Sequence, residues 1–153
     1  MRKLVALSFA FLGTLLLSQN AADPWSKSEF LEPAALVPQI QSAKPPVILS
    51  VAFPVLYRNK HISHAIDVGP GSTPEGIELL KKAVANLSKD ADIVIYCGCC
   101  PMVKCPNVRP AYRTLKELGF THMRVLNIAT NMHMDWYSKD YPSELGSAAT
   151  SKP

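Results

Sequence analysis

Four cysteines, Cys97, Cys99, Cys100 and Cys105, crowd into one short stretch, and they are all the cysteines of the 153-residue chain. A disulfide framework joins distant parts of a small fold, which cysteines confined to one loop cannot do. Their chemistry is therefore local. A thiolate is a nucleophile, a redox partner and a soft metal ligand, and its surroundings decide which of these it becomes.

The stretch reads Tyr96-Cys97-Gly98-Cys99-Cys100-Pro101-Met102-Val103-Lys104-Cys105-Pro106-Asn107-Val108-Arg109-Pro110. As a nucleophile, Cys97 is the first candidate, with Arg109 as its catalytic partner. Lys104, Arg109 and, one turn further on, Arg113 supply positive charge for an anionic substrate. As redox chemistry, Cys97 and Cys100 make a C-x-x-C pair, and Cys99, Cys100 and Cys105 are candidate resolving thiols for an oxidised or persulfidated Cys97. As metal chemistry, Cys97, Cys99, Cys100 and Cys105 together satisfy copper as Cu(I), or zinc, although C-x-C-C-x4-C is not the paired spacing of zinc ribbons. Met132-His133-Met134 adds soft ligands if it follows the last strand to the same end of the sheet. The plainest alternative is one or two local disulfides that rigidify the loop. A phosphatase-like or arsenate-reductase-like loop fits poorly, because successive N–H groups must meet three oxyanion oxygens and the Cys97-to-Arg109 separation is too long for that cradle.

The elements on either side position this stretch. Residues 92–96, Asp92-Ile93-Val94-Ile95-Tyr96, form the clearest strand, and the first cysteine follows it directly. Residues 47–51 make a second continuous apolar and β-branched run, which suits a sheet covered on both faces. Residues 65–68 and Met123–Leu126 are shorter strands. Ser72, Thr73, Pro74 and Glu75 open a helix with hydroxyl caps, a first-turn proline and an acidic residue. Ile77, Leu80, Val84 and Leu87 give that helix its apolar stripe. A further helix over residues 110–118 starts at Pro110 and stops at Gly119. Residues 23–44 contain Pro33 and Pro38 and are expected to hold short helical turns at most. Strands alternating with helices predict an α/β fold around a mostly parallel central sheet flanked by helices. In such a sheet, ligands sit at the carboxyl ends of the strands, which is where the cysteines fall. A helix start there stabilises a thiolate and any anion it meets.

From about Phe30 to Pro142 the sequence resembles the rhodanese-like (sulfurtransferase) family. The strand Ile93-Val94-Ile95-Tyr96 running into Cys97, an arginine-bearing loop, and a helix ending in Gly119-Phe120 carry the resemblance. Lys60-His61-Ile62-Ser63-His64-Ala65-Ile66 is similar to the family's Gly-His-Ile-Pro-Gly-Ala-Ile segment, and Trp136 stands where a tryptophan commonly closes the domain. The chain departs from the pattern in its longer loop. It also carries Ser50 and Ala52 where Asp and Arg are usual, and Lys60 and His64 where glycines are usual. The resemblance implies a single rhodanese-like domain that moves sulfane sulfur through a persulfide on Cys97. The donor would be a small anion such as thiosulfate and the acceptor a thiol or cyanide. It implies no cofactor. The competing expectations are a copper- or zinc-binding or partner-binding module that keeps the fold without the chemistry, and a thiol-disulfide redox protein.

The first residues read as an address. Arg2 and Lys3 precede fourteen uncharged residues, 4–17, and then the polar and small run Ser18-Gln19-Asn20-Ala21-Ala22. That is the layout of a secretory signal peptide over residues 1–22, and the apolar run falls short of the roughly 20 residues that span a bilayer. The expectation is a periplasmic or secreted protein, with an uncleaved N-terminal membrane anchor as the alternative and no stable span once the signal is cleaved. Residues 23–45 would be an approach segment, 46–142 the domain core and 143–153 a flexible tail. Sixteen Lys and Arg against twelve Asp and Glu give +4 without basic blocks, so the composition offers no nucleic-acid footprint.

Overall fold

The computed structural model describes residues 23–146. The predicted signal segment lies outside the described residues. Among those described, no helix is long and apolar enough to cross a membrane.

The expected strands and helices are present among further short elements, in the order β1 (Phe30–Leu31), α1 (Pro33–Ile40), β2 (Val47–Ser50), α2 (Pro54–Asn59), β3 (His61–Ile62), β4 (Ile66–Asp67), α3 (Pro74–Val84), β5 (Ile93–Tyr96), α4 (Val108–Glu117), β6 (Met123–Leu126), α5 (Met132–Asp135) and β7 (Ser143–Glu144). Five strands form one sheet in the order β1-β6-β5-β2-β4, and every pairing in it is parallel. The central strand β5 is buried along its whole length, as its unbroken apolar sequence requires. Its side chains alternate between two apolar layers. Ile93, Ile95 and then Cys97 join the layer containing Leu80, Val108, Tyr112 and Leu115 of α3 and α4. Val94 and Tyr96 join the opposite layer, with Leu36 and Ile40 of α1, Met132 and Trp136. The sheet is thus covered on both faces, and the period-2 alternation of β5 runs on into the first cysteine.

Four expectations need correction. Residues 23–44 hold more than helical turns: Phe30 and Leu31 pair with Val125 and Leu126 at the sheet edge, and an eight-residue helix follows. Pro33 sits at the helix start, where its missing N–H is harmless, and Pro38 gives up one hydrogen bond while Leu36 and Ile40 bury themselves. Helix α4 begins at Val108, not Pro110, because a proline anywhere in the first turn forfeits no intrahelical bond. Arg109 is therefore a residue of the helix itself. The expected flexible tail does not begin at residue 143, since Ser143 and Glu144 pair antiparallel with Ile62 and His61. The strand expected over residues 65–68 shortens to Ile66–Asp67.

Trp136 closes its layer as expected, fully buried, with its indole N–H donating to the Pro142 carbonyl at 3.0 Å. Helix α3 is capped by the Thr73 hydroxyl, which accepts from the Gly76 N–H. Ser72 is used elsewhere: its hydroxyl and its backbone N–H both donate to the Asn107 side-chain oxygen. That bond requires the chain before α3 to lie against the start of α4. Gly71 permits the approach, because a Cβ there would come within 2.3 Å of the Asn107 carbonyl oxygen.

Candidate functional site

The cysteine loop leaves β5 at the carboxyl end of the sheet and delivers the chain into α4. Gly98 turns it at once, with φ of 78°, in the left-handed region that favours glycine. A 3-10 turn over Met102–Lys104 follows, and the Met102 N–H donates to the Ile128 carbonyl at 2.8 Å, tying the loop to the chain that leaves β6.

This path folds the four thiols together. All four are free; Cys97 and Cys105 are buried, Cys100 is half-buried and Cys99 is exposed. The Cys97 and Cys99 sulfurs are 3.1 Å apart, and those of Cys99 and Cys100 are 3.3 Å apart. The sulfurs of Cys97, Cys99 and Cys105 all lie within 4.8 Å of one another.

The two buried thiols are not equivalent. A hydrogen bond from Cys97, helped by the backbone N–H groups of Asn107 and Val108 at the start of α4, lowers the Cys105 pKa to about 6 despite its burial. The same hydrogen bond to Cys105, together with burial and the neighbouring charge, pushes the Cys97 thiol far up. The side-chain amide of Asn107 donates to the Cys97 sulfur at 3.4 Å and works in the opposite direction. The two thiols are thus shifted in opposite directions, Cys105 toward the thiolate and Cys97 toward the thiol. Burial first, and then the bond to Cys99, pushes Cys100 up to about 12.

Access separates the two thiols further. A cavity of about 140 Å³ opens on the loop, and Cys97 is the one cysteine in its lining. Ser50 and Ala52 at and just after the end of β2, Tyr57 and Lys60 from α2 and the residue after it, and Met132 and Tyr137 from the far side contribute to the wall. Among the described residues Lys60 is the single cation there, and its ammonium lies 4.9 Å from the centre of the Tyr137 ring. A wider cleft of about 550 Å³ lies at the opposite, amino end of the sheet, beside Asp92 and Met123, and holds no cysteine.

The positive charges expected around Cys97 do not gather there. Arg109 spends its guanidinium on the loop and the N-terminal segment, donating to the carbonyls of Cys105 at 3.1 Å and Val103 at 3.0 Å and pairing with Asp23 at 2.6 Å. It also lies over the Trp25 ring. It is a loop organiser. Lys104 and Arg113 are exposed and contribute nothing to the cavity wall. Of the Met132-His133-Met134 triplet only Met132 reaches the site, buried over Gly98, while His133 and Met134 are exposed. His61 is buried, stacked on Tyr57 and bonded to the Tyr57 carbonyl at 2.9 Å, so it fixes α2 against β3. His64 adopts φ of 63°, the conformation for which the usual glycine of that segment is suited.

Asn107 escaped the sequence reading. It is fully buried and joins the Ser72 turn to the Cys97 sulfur, a role that only the packing of α3 against α4 creates. Lys60, which replaces a glycine of the family pattern, supplies a cation to the cavity wall.

The model of the rhodanese-like domain matches residues 33–129, most of the described chain, including the strand, the cysteine loop and the helix that follows it. The chain belongs to the rhodanese-like domain family. Solved structures carry the same fold at low identity. A rhodanese-like domain from Anabaena sp., determined in solution, is 24% identical with a TM-score of 0.55, over 82% of this chain and 84% of that one. A protein from Bacillus halodurans is 22% identical with a TM-score of 0.60, over 82% of each chain. No curated protein matches the chain. A rhodanese-like domain with a cysteine at the carboxyl end of its central strand is suited to sulfur-transfer chemistry.

Proposed function

We propose that this protein carries sulfane sulfur as a persulfide on Cys97, working outside the cytoplasm after loss of residues 1–22. The observation that carries the reading is access: of four clustered thiols, Cys97 lines the cavity at the carboxyl end of the sheet. Cys105 lies behind it, buried, with backbone N–H groups at the start of α4 lowering its pKa.

The proton balance follows from that arrangement. As a donor approaches, the Cys97 sulfur attacks the outer sulfur of the donor while its proton passes to the Cys105 sulfur. The new S–S bond forms as the donor's own bond to that sulfur breaks, and its remainder leaves with the electron pair, as sulfite when thiosulfate is the donor. An acceptor thiolate or cyanide then takes the outer sulfur and returns the Cys97 thiolate. Without an acceptor, attack by Cys99 or Cys105 on the Cys97 sulfur expels hydrosulfide and leaves an intramolecular disulfide, which an external thiol must reduce. The single cation of the wall favours a donor of low charge, such as the persulfide of a small thiol, over the thiosulfate dianion.

Exposure of the reduced protein to a sulfane donor should add about 32 Da, the mass of one sulfur, and peptide mapping should place it on Cys97. Cys97→Ser should abolish the adduct and the transfer. Full transfer by that variant would refute the role of Cys97.

A further inference from the structure

The loop presents three sulfurs to one point. Cys97, Cys99 and Cys105 have their Sγ atoms within 4.8 Å of one another, and no carboxylate or imidazole belongs to the group. Metal–sulfur bonds of about 2.3 Å place three ligands around one ion roughly 4 Å apart. The observed separations, 3.1 Å between Cys97 and Cys99 and no more than 4.8 Å within the group, bracket that figure, and Cys99 is the exposed member.

We propose that Cys97, Cys99 and Cys105 form a three-thiolate site for Cu(I). Thiolates select soft cations, and the group offers nothing to a hard one. Structural zinc takes four ligands, and the fourth thiol, Cys100, touches Cys99 at 3.3 Å but does not belong to the group whose sulfurs all lie within 4.8 Å of one another. Three-coordination suits Cu(I). The surroundings support a bound ion with excess negative charge. The Asn107 side-chain amide donates to the Cys97 sulfur, and the backbone N–H groups of Asn107 and Val108 point at Cys105 from the start of α4. Two of the three sulfurs are buried, and the Met132 side chain packs over Gly98 beside them, which keeps water away from the ion. Binding sends the remaining thiol protons to solvent, so affinity falls as pH falls. The ion occupies the Cys97 sulfur that a persulfide would need, so copper and sulfane sulfur exclude each other.

The test is a competition between the full reduced chain and a chromogenic Cu(I) chelator under anaerobic conditions, with X-ray absorption on the copper-loaded protein. The expected result is one Cu(I) per chain with three sulfur neighbours. Cys99→Ser, at an exposed position that leaves the fold intact, should weaken binding by about 100-fold or more. Cys100→Ser should leave it unchanged. Equal losses in the two variants, four sulfur neighbours, more than one ion per chain, or zinc displacing copper at equal concentration would overturn the assignment. The sulfur adduct is measured on metal-free protein, so the failure of either reading is visible without the other.

Discussion

Replacing Gly98 by alanine tests the geometry that holds Cys97 at the cavity. Two penalties add at this position. The φ of 78° costs a side-chain-bearing residue about 1 kcal/mol. A Cβ there would also lie 2.1 Å from Met132 Cγ and 2.9 Å from its sulfur, so the buried Met132 must move, at about 2 kcal/mol for a crowded core site. Gly119 supplies the control. Its φ is 87°, and a Cβ added there meets nothing within 4 Å, so Gly119→Ala carries the backbone penalty alone. At about 4 °C of Tm per kcal/mol for a domain of this size, Gly119→Ala should lower Tm by about 4 °C and Gly98→Ala by about 12 °C. Calorimetry on the reduced proteins reads the difference. Combining Gly98→Ala with Met132→Ala should be less destabilising than the sum by about 2 kcal/mol, because truncation removes the colliding atoms. Sulfur uptake on Cys97 should slow in Gly98→Ala, since the displaced Met132 side chain belongs to the cavity wall. Equal Tm losses at the two glycines, or strict additivity in the double variant, would refute the contact between Met132 and the loop.

Two other outcomes follow from the site. Cys105 has its pKa lowered to about 6 from 9.0, so the stability it contributes is full above the unfolded value and is lost as pH falls toward 6. Cys97 is raised and acts oppositely above that value, so urea unfolding of the reduced protein should show stability climbing from pH 6 to 9 and declining beyond. The climb cannot exceed about 1.4 kcal/mol per pH unit for one proton, and Cys105→Ser should flatten it; a profile unchanged by that substitution would show that the thiolate is elsewhere. Arg109→Ala removes donors to the Val103 and Cys105 carbonyls and the partner of Asp23, and should destabilise by about 2 kcal/mol and speed amide exchange over residues 99–105. Unchanged exchange there would mean that the loop holds its shape without the guanidinium.

The strands and the cysteine loop were legible because each rests on local pattern. Residues 92–96 read as a strand from their unbroken apolar sequence, and the position of Cys97 just beyond them followed directly. The two-residue strands at Phe30–Leu31 and Ser143–Glu144 were not legible, because each exists only through its partner, β6 in one case and β3 in the other. The role of Arg109 was half legible. Its place near the loop came from spacing, whereas its saturation by two carbonyls and Asp23 depends on a segment 86 residues away in sequence.

The sequence by itself determined that this is an α/β domain of the rhodanese-like kind and that its chemistry belongs to four thiols between a buried strand and a helix. Periodicity and spacing carry the α/β class and the place of the thiols, since both are properties of neighbouring residues; the rhodanese-like kind rests on the resemblance of the segments around Cys97 and His61 to that family. Tertiary structure decided how the four thiols differ in burial and access. Only the packing of α3 against α4 brings Asn107 to Cys97, only the turn at Gly98 folds Cys105 behind it, and only the walls from β2, α2 and Tyr137 leave Cys97 facing the cavity with one lysine for company. Those choices set the direction in which each thiol's pKa moves, because it depends on the donors and the burial around the sulfur, and these come from distant parts of the chain.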